Sequence, residues 1–554
     1  MPINKLQSLL LLEAKRIENS TEADHLTSVI QIIKTIDYQY QFNFGFGYLD
    51  AIQKLGKYEY GWGYVFSLFY KKYVGELKTK NILKKNIIDW ADSVVYLAGG
   101  IELCNQALSF EKAGLMQISL ENHNNFRFAK IFENDHEKYE LISLQYSHYK
   151  KSIKFEERLQ LLEKETPKVR NELINYISVC KKNGINYDLP TRLSEFYTES
   201  AFLLVNSTVT LDDFEEDDKF GGITYKDFIN FVYYVQKAAI IHRDCCVALT
   251  NNNRTLSMRK ILTQILDQRS IINQYCVATG FPYQKVMKLV ECFTLNENNI
   301  ETHLGYPKPI PAPFVKIKDD KLIISTYGCL KNPVYFLNRE LKRKYPDDFF
   351  NAVNRREIRF RNQLYDIFKQ DSFIKIHDNV IIKGPNGKII TDIDAVIFDK
   401  KSKSLGLFQL KWQDNFTTNF KERRSRISNL IAKSIEWIDK VDGWVKTELH
   451  KDALKILKIN GEKSISKVHL FVISRNHVHF TNTELDDRAT WASWFQVEEA
   501  ADTVFVESSG DQILDFVNKI EKLSPKKRYL PPDSEFVYTN NQTVEFSKCT
   551  VVIG

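Results

Sequence analysis

The sequence has no long apolar run and few cysteines, and both absences bear on the class of protein. No apolar stretch reaches 18 residues, and the longest candidate, 94–103, is interrupted by Gly99, Gly100 and Glu102, so a membrane-spanning helix is not expected. The eight cysteines include no Cys-x-x-Cys pair, which disfavours structural zinc and indicates reduced, mostly buried thiols. We therefore expect a cytoplasmic protein that has no membrane partner.

Motifs that hold nucleotides or calcium are also missing. No Gly-x-x-x-x-Gly-Lys-Ser/Thr occurs, and the pairs Gly45-x-Gly47 and Gly61-x-Gly63 lack the third glycine of a dinucleotide-binding loop. The acidic run 212–218 lacks the sixth-position glycine and twelfth-position glutamate of a calcium-binding loop. These absences disfavour a P-loop ATPase, a dinucleotide-dependent enzyme and a calcium-binding EF-hand.

The 554 residues suggest three or four folding units, and 43% hydrophobic and 27% charged residues are ordinary for a globular chain. Segment 1–304 has apolar residues at three- and four-residue spacing, which predicts a mainly helical region of one or two subdomains. Segment 305–345 starts with four prolines in nine residues, which predicts a linker, and continues with a short hairpin around Asp319-Asp320. Segment 346–554 follows as a separate domain.

The pattern from Pro346 onward changes to strands separated by long helices. Proline suits the first turn of a helix, so we predict a helix over 347–370. Strands follow at 373–382, 388–398 and 405–412, then an amphipathic helix at 419–445 and a strand at 468–474. The fold class is therefore α+β overall, with a large, mainly α-helical N-terminal region and a C-terminal α/β domain of order αβββαβ.

Polar residues interrupt two of these apolar strands. If strands 388–398 and 405–412 form a hairpin centred between residues 401 and 402, partner numbers sum to 803. Asp394 then faces Gln409, and Asp392 faces Lys411. Because side chains alternate across a strand, all four lie on one face of the sheet. A polar cluster inside apolar strands needs partners or a function.

Divalent metal binding is the function that these groups suggest. Asp394 offers a carboxylate oxygen, Gln409 an amide oxygen, and the backbone carbonyl of Leu410 a third ligand. So sparse a set suits Mg²⁺, with Mn²⁺ as a substitute, because Mg²⁺ keeps several waters and binds substrate phosphate. Lys411 would orient or deprotonate an attacking water and neutralise charge that develops on phosphorus.

These residues resemble a known family. Ile393-Asp394, then fourteen residues, then Gln409-Leu410-Lys411 is similar to the PD-(D/E)XK nuclease superfamily in its Gln-x-Lys variant, and 391–395 resembles the Glu-x-Asp form of Mrr-like restriction endonucleases. The resemblance implies a restriction-endonuclease-like domain with an αβββαβ core and a mixed central sheet. It also implies an acidic residue from the opening helix, for which Glu357 is the candidate, and Gln413 as a further residue of the cleft. Ile393 stands where the family has proline, and Gln409 where it usually has an acid, a charge for which Asp392 could compensate.

Positive charge is concentrated around the motif. Nine basic residues stand against Asp414 and Glu422 in segment 400–433, a local excess equal to that of the whole chain, +7. Such a concentration indicates a phosphate-binding surface or a solvated face. The candidate nucleic-acid-binding residues on the helix after the motif are Lys421, Arg423, Arg424, Arg426 and Lys433.

The resemblance implies a Mg²⁺-dependent DNA endonuclease, with DNA favoured over RNA as partner and with Asp394, Gln409, Lys411, Asp392 and Glu357 as catalytic residues. A nuclease joined to a large helical region suits restriction or anti-phage defence, in which the N-terminal region regulates, senses or oligomerises. The alternative is a catalytically inert nuclease-fold protein that binds nucleic acid or serves as a scaffold. A homo-oligomer and a separate partner sensor protein both stay open.

Overall fold

The computed structural model of the chain divides into two compact units. Described residues of the first unit lie within 2–131, 156–350 and 542–554, and those of the second lie within 351–524. The described ranges are 2–20, 23–44, 49–73, 84–131, 156–179, 185–208, 214–253, 256–305, 308–378, 380–384, 387–412, 420–448, 453–480, 483–507, 510–524 and 542–554. The predicted α+β class is confirmed, with a helical N-terminal region and a sheet-containing C-terminal region.

Helices dominate the first unit. Its helices over the described residues are α1 (Pro2–Asn19), α2 (His25–Phe44), α3 (Leu49–Tyr73), α4 (Lys85–Lys112), α5 (Glu156–Leu173), α6 (Thr191–Thr208), α7 (Tyr225–Asn252), α8 (Met258–Ile261), α9 (Gln268–Thr279), α10 (Tyr283–Cys292), α11 (Ile300–Leu304), α12 (Thr326–Lys331) and α13 (Pro333–Lys344). None of the described helices of either unit has the length and apolarity that crossing a bilayer requires.

Short strands join distant parts of the first unit. They are β1 (Met116–Asn122), β2 (Asn125–Lys130), β3 (Ile177–Val179), β4 (Ile185–Tyr187), β5 (Lys219–Phe220), β6 (Ile223–Thr224), β7 (Gln264–Asp267), β8 (Thr294–Leu295), β9 (Phe314–Ile317), β10 (Lys321–Ile324), β18 (Gln542–Glu545) and β19 (Thr550–Ile553). One sheet has the order β1-β2-β19-β18 and another β7-β10-β9-β8. The predicted hairpin around Asp319-Asp320 is β9–β10, and both turn residues have positive φ.

These sheets place the unit boundaries elsewhere than the sequence suggests. Segment 305–345, which we predicted to be a linker and hairpin, belongs to the first unit and contributes β9, β10, α12 and α13 to it. Residues 542–554 also belong there, because β19 pairs with β2, whereas the predicted C-terminal domain extended to 554. Pairing between such distant segments leaves no local signal in the sequence.

The second unit surrounds a five-stranded mixed sheet of order β11-β14-β15-β16-β17. Its elements are α14 (Pro346–Ile367, which begins in the first unit), β11 (Phe373–Ile376), β12 (Val380–Lys383), β13 (Ile389–Ile393), β14 (Ala395–Asp399), β15 (Ser404–Lys411), α15 (Phe420–Glu448), α16 (Ala453–Ile456), β16 (Lys467–Ser474), β17 (Ala489–Ser493), α17 (Trp494–Glu507) and α18 (Gln512–Leu523). The strands β11, β14 and β15 are antiparallel, whereas β15, β16 and β17 run parallel. The predicted order is present, with one addition, a separate β12–β13 hairpin, and β17 and two helices follow β16.

Alternation along the strands divides the core of this unit into two layers. The strand residues on the face toward α15 include Val396, Phe398, Leu405 and Leu407. Those on the face toward α14, α17 and α18 include Ala395, Ile397, Phe408 and Leu410. By the same alternation, Gln409 and Lys411 belong to the α15 face at the end of β15, and Asp394, which contacts Gln409, lies just before β14.

The second layer gives a stability prediction. Phe408 is fully buried, and its ring stacks on that of Phe471 with centroids 4.3 Å apart. Phe408→Ala should lower the free energy of unfolding by about 3–5 kcal/mol, because a large cavity replaces the ring. Ile389→Ala, at a strand position that is 64% exposed, should change it by no more than about 0.5 kcal/mol. Urea unfolding followed by tryptophan fluorescence measures both, and equal losses would contradict the assignment of Phe408 to the core.

Candidate active site

The hairpin register predicted from the sequence is confirmed where β14 pairs with β15. Ala395 faces Phe408 and Val396 faces Leu407, so partner numbers sum to 803, and the same register continues to Asp399 and Ser404. Asp394 lies one residue before β14, and its N–H donates to the carbonyl of Phe408 at 3.1 Å. The pairing of β14 with β15 therefore places Asp394 beside the C-terminal end of β15.

The predicted pairing of Asp392 with Lys411 is wrong. The strand expected at 388–398 is broken by a bend at Asp394, so β13 ends before β14 begins. Asp392 pairs with Ile381 in the β12–β13 hairpin instead of facing Lys411, and its residue is exposed. The indole N–H of Trp437 on α15 donates to the Asp392 carbonyl at 2.8 Å, which holds the redirected strand. The alternation of apolar and polar residues in this segment continues through Asp394, so the sequence gives no sign of the bend.

The Asp394 carboxylate bonds to β15 at the end of the β14–β15 hairpin that lies away from its loop. Its Oδ2 accepts a hydrogen bond from the backbone N–H of Leu410 at 2.7 Å and another from Nε2 of the buried Gln409. Nη1 of Arg361 on α14 lies 3.5 Å from the Asp394 carbonyl. Asp394 thus contacts Gln409 and the Leu410 backbone, and Arg361 of α14 reaches the same point of the chain.

Burial dominates the electrostatics of this carboxylate. It raises the pKa of Asp394 to about 6, and the nearby charge of Asp392 acts in the same direction. Lys411, the Leu410 N–H and the Gln409 amide act against the shift. A carboxylate with this pKa is mostly ionised at neutral pH, and a bound cation would stabilise its desolvated charge.

The oxygen atoms at this site are of the chemical types that bind a divalent cation. Carboxylate, amide and carbonyl oxygens are the ligands that Mg²⁺ takes, and Asp394 and Asp392 supply two carboxylates within electrostatic range of each other. The amide nitrogen of Gln409, not its oxygen, faces Asp394, so metal binding by Gln409 requires rotation of the amide. The Leu410 carbonyl points to the same strand edge as the N–H that contacts Asp394. Over the described ranges there is no group of three or more His, Cys, Asp or Glu placed to hold a metal, so the set is sparse.

The opening helix brings a different residue to the site from the one predicted. Glu357 is exposed on α14, one helical turn before Arg361. It is Arg361, largely buried, that contacts the Asp394 backbone. The predicted acidic contribution of this helix stays a prediction, and what the helix shows is a cation beside the bend.

The basic helix predicted after Lys411 is α15, which begins at Phe420. Arg424 and Lys433 are exposed on it, as a phosphate-binding role requires. The side chains of Lys421, Arg423 and Arg426, and the whole of Gln413, lie outside the described residues. The apolar residues of α15 pack on the face of the sheet that carries Gln409 and Lys411.

Sequence reasoning missed a group of residues at the ends of the parallel strands. Trp412, Arg475 and Trp494 directly follow β15, β16 and β17, and the guanidinium of Arg475 lies over both indoles. Burial lowers the pKa of Arg475 to about 10, and Glu498 acts against this shift. The signal that could have found them is positional, because ligands of open α/β sheets bind at the carboxyl ends of the strands.

Comparisons of the chain with protein-family models, with curated proteins and with solved structures find no match. The chemistry of the site is therefore inferred from its own residues.

The raised pKa of Asp394 predicts a pH-dependent stability. Between the ordinary value of 3.8 and about 6 the folded chain keeps the proton that the unfolded chain has lost, so wild-type stability falls as pH rises through this window. Asp394→Asn removes the ionisation and keeps an oxygen that accepts both hydrogen bonds. In metal-free buffer with a chelator, the variant should gain stability over wild type through the window and keep a constant advantage above it, at most about 3 kcal/mol.

Thermal melting of both chains from about pH 4 to about pH 8 measures this difference. An advantage that does not change with pH would contradict the burial of an ionisable carboxyl. Asp378→Asn is the matched control, because folding lowers the pKa of this exposed carboxyl through Lys458, so its substitution should not stabilise the chain at neutral pH.

Proposed function

We propose that the second unit is a metal-dependent nuclease that hydrolyses phosphodiester bonds, with DNA as the favoured substrate. The observation that supports it most is the half-buried Asp394 carboxylate, hydrogen-bonded to Gln409 and to the Leu410 backbone at the bend that precedes β14. Lys411 ends the neighbouring strand and acts electrostatically on the same carboxylate. Carboxylate, amide and lysine at this edge of a mixed sheet agree with the resemblance to PD-(D/E)XK nucleases.

Each residue has a role in this proposal. Asp394 and Asp392 hold the metal ion, and the Leu410 carbonyl and the rotated Gln409 amide complete the protein ligands. When bound, Mg²⁺ or Mn²⁺ supplies positive charge that neutralises phosphate oxygens and makes a bound water more acidic. Lys411 orients the attacking water and offsets the negative charge that develops on the phosphorus oxygens.

The helical first unit fits a regulatory role in the same proposal. A chain that cuts nucleic acid needs its activity to be conditional, and a large helical region attached to a nuclease suits restriction or anti-phage defence. This assignment rests on an analogy of architecture. It leaves the trigger to the first unit, to a second copy or to a partner protein.

One observation favours the alternative of an inert nucleic-acid-binding or scaffold protein. The Gln409 N–H already occupies the Asp394 oxygen that a metal would use, and the described residues offer no third acidic ligand. An inert protein of this fold would bind DNA without metal, and that binding would survive loss of Lys411.

The cleavage prediction separates the two functions. Wild-type chain incubated with plasmid, linear duplex, single-stranded DNA and RNA should cut DNA in Mg²⁺ or Mn²⁺ and not in EDTA. Lys411→Ala should reduce the cleavage rate by about 100-fold or more, because one preorganised charge that stabilises a transition state contributes on that scale. The rate of loss of intact substrate on gels measures the effect.

Lys440→Ala is the matched control, since this lysine forms an exposed pair with Glu436 on α15 and should leave the rate unchanged. Cleavage that persists in EDTA, or at the wild-type rate in Lys411→Ala, would contradict the proposed mechanism. DNA binding without cleavage in any metal would favour the inert alternative.

Metal binding can be tested without activity. Mg²⁺ or Mn²⁺ should raise the melting temperature of the wild type, because an ion that binds only the folded chain stabilises it by about 2.7 kcal/mol at a concentration 100 times its dissociation constant. Asp394→Ala should lose this effect, and the exposed Asp378→Ala should keep it. An equal rise in both variants would show that the ion binds elsewhere.

A further inference from the structure

Two buried serines lie in the same row of the sheet as Lys411, at the ends of the parallel strands. Lys411 of β15 is paired with Ser474 of β16, which is paired in turn with Ser493 of β17. Paired residues of parallel strands point to the same face, so all three side chains belong to the face toward α15. Neither serine is accessible to solvent. One lysine and two hydroxyls therefore form a row across the carboxyl ends of three strands.

The Ser493 hydroxyl has a structural role. Ser493 directly precedes α17, and its backbone N–H donates to Oε1 of Gln496 at 2.8 Å. Its hydroxyl donates to the same oxygen at 3.0 Å, and Nε2 of Gln496 donates to the carbonyl of Leu523 at 3.0 Å. These hydrogen bonds cap α17 and join it to the end of α18. The fold alone explains a serine at this position.

The Ser474 hydroxyl has no comparable role in the fold. Its oxygen is buried and has no hydrogen-bond partner in the part of the chain that the structure describes. A buried hydroxyl without a partner lowers stability, because it gives up its hydrogen bonds to water and gains none in return. Packing alone would favour alanine here. The pairing of this serine with the candidate catalytic lysine therefore points to a role in the site.

Lys411 needs a second contact if it is to orient the attacking water. Its charge acts on the Asp394 carboxylate, and that attraction alone would draw the ammonium toward the oxygens that hold the metal in the proposed site. An ammonium has three N–H donors on a flexible stem, so an acceptor on its other side can hold it away from Asp394. Ser474 is on that other side, because β15 lies between β14 and β16 and neighbouring strands are about 5 Å apart.

We propose that Ser474 is a positioning residue, whose hydroxyl accepts a hydrogen bond from the Lys411 ammonium and directs it toward the attacking water. The inference rests on the proposed nuclease function and deepens it by adding a residue to the same site. Ser474 is too deeply buried to contact a nucleic acid, so it acts through Lys411. Its hydroxyl therefore affects the rate of the chemical step and leaves substrate binding unchanged.

Ser474→Ala tests this role, because it removes the hydroxyl and keeps the packing. In the metal-dependent cleavage of duplex DNA, the variant should have a kcat lower by about tenfold or more, since a hydrogen bond to a charged group contributes on that scale. KM should not change, and Ser474→Thr, which keeps a hydroxyl, should recover most of the rate. The melting temperature of Ser474→Ala should equal or exceed that of the wild type. Initial rates over a range of DNA concentrations and thermal melting measure these quantities.

Two other serines are matched controls. Ser493→Ala should lower the melting temperature by about 2–4 °C through loss of a capping hydrogen bond and should leave kcat unchanged. Ser372→Ala also removes a buried hydroxyl that has no partner in the described part of the chain. It lies beside the β14–β15 loop, at the opposite end of the sheet, and should change neither quantity.

The outcomes separate this inference from the proposed function. If the wild type cuts DNA and Ser474→Ala cuts at the same rate, Ser474 does not position Lys411, and the nuclease function stands. A melting temperature lowered as far as that of Ser493→Ala would make the hydroxyl structural and would also overturn the inference. Equal slowing by Ser474→Ala and Ser474→Thr would show that the hydroxyl is not the group responsible. A wild-type chain that cuts no nucleic acid overturns both.

Discussion

The hydrogen bond from the Leu410 N–H to the Asp394 carboxylate is the interaction on which the rest of the site depends. It joins the end of β15 to the bend before β14, at the point where β13 leaves the sheet. Without an acceptor at position 394, the Leu410 N–H at the end of β15 would lose its hydrogen-bond partner. The β12–β13 hairpin would also lose the bend that sets its direction. A single side chain therefore sets both the local backbone and the position of a charge.

That charge is costly to the fold. Burial raises the pKa of Asp394 to about 6, which means that folding disfavours the ionised form, although Lys411, Gln409 and the Leu410 N–H partly offset the cost. A neutral residue at this position would keep a hydrogen-bond acceptor at lower cost. Sites that retain a destabilising polar group inside an apolar sheet are characteristic of function, because residues selected for stability alone would replace it.

The sequence predicts structural features that depend on residues close together in the chain better than those that join distant segments. The register of β14 with β15 follows from alternation and a short polar loop, and the structure has the predicted partners from Ala395 to Asp399. The bend at Asp394 could not be read from the same alternation, so Asp392 was assigned to the wrong partner. The contact between Arg361 and the Asp394 carbonyl, and the pairing of β19 with β2, join segments that are distant in the chain, where no periodic pattern exists to detect them.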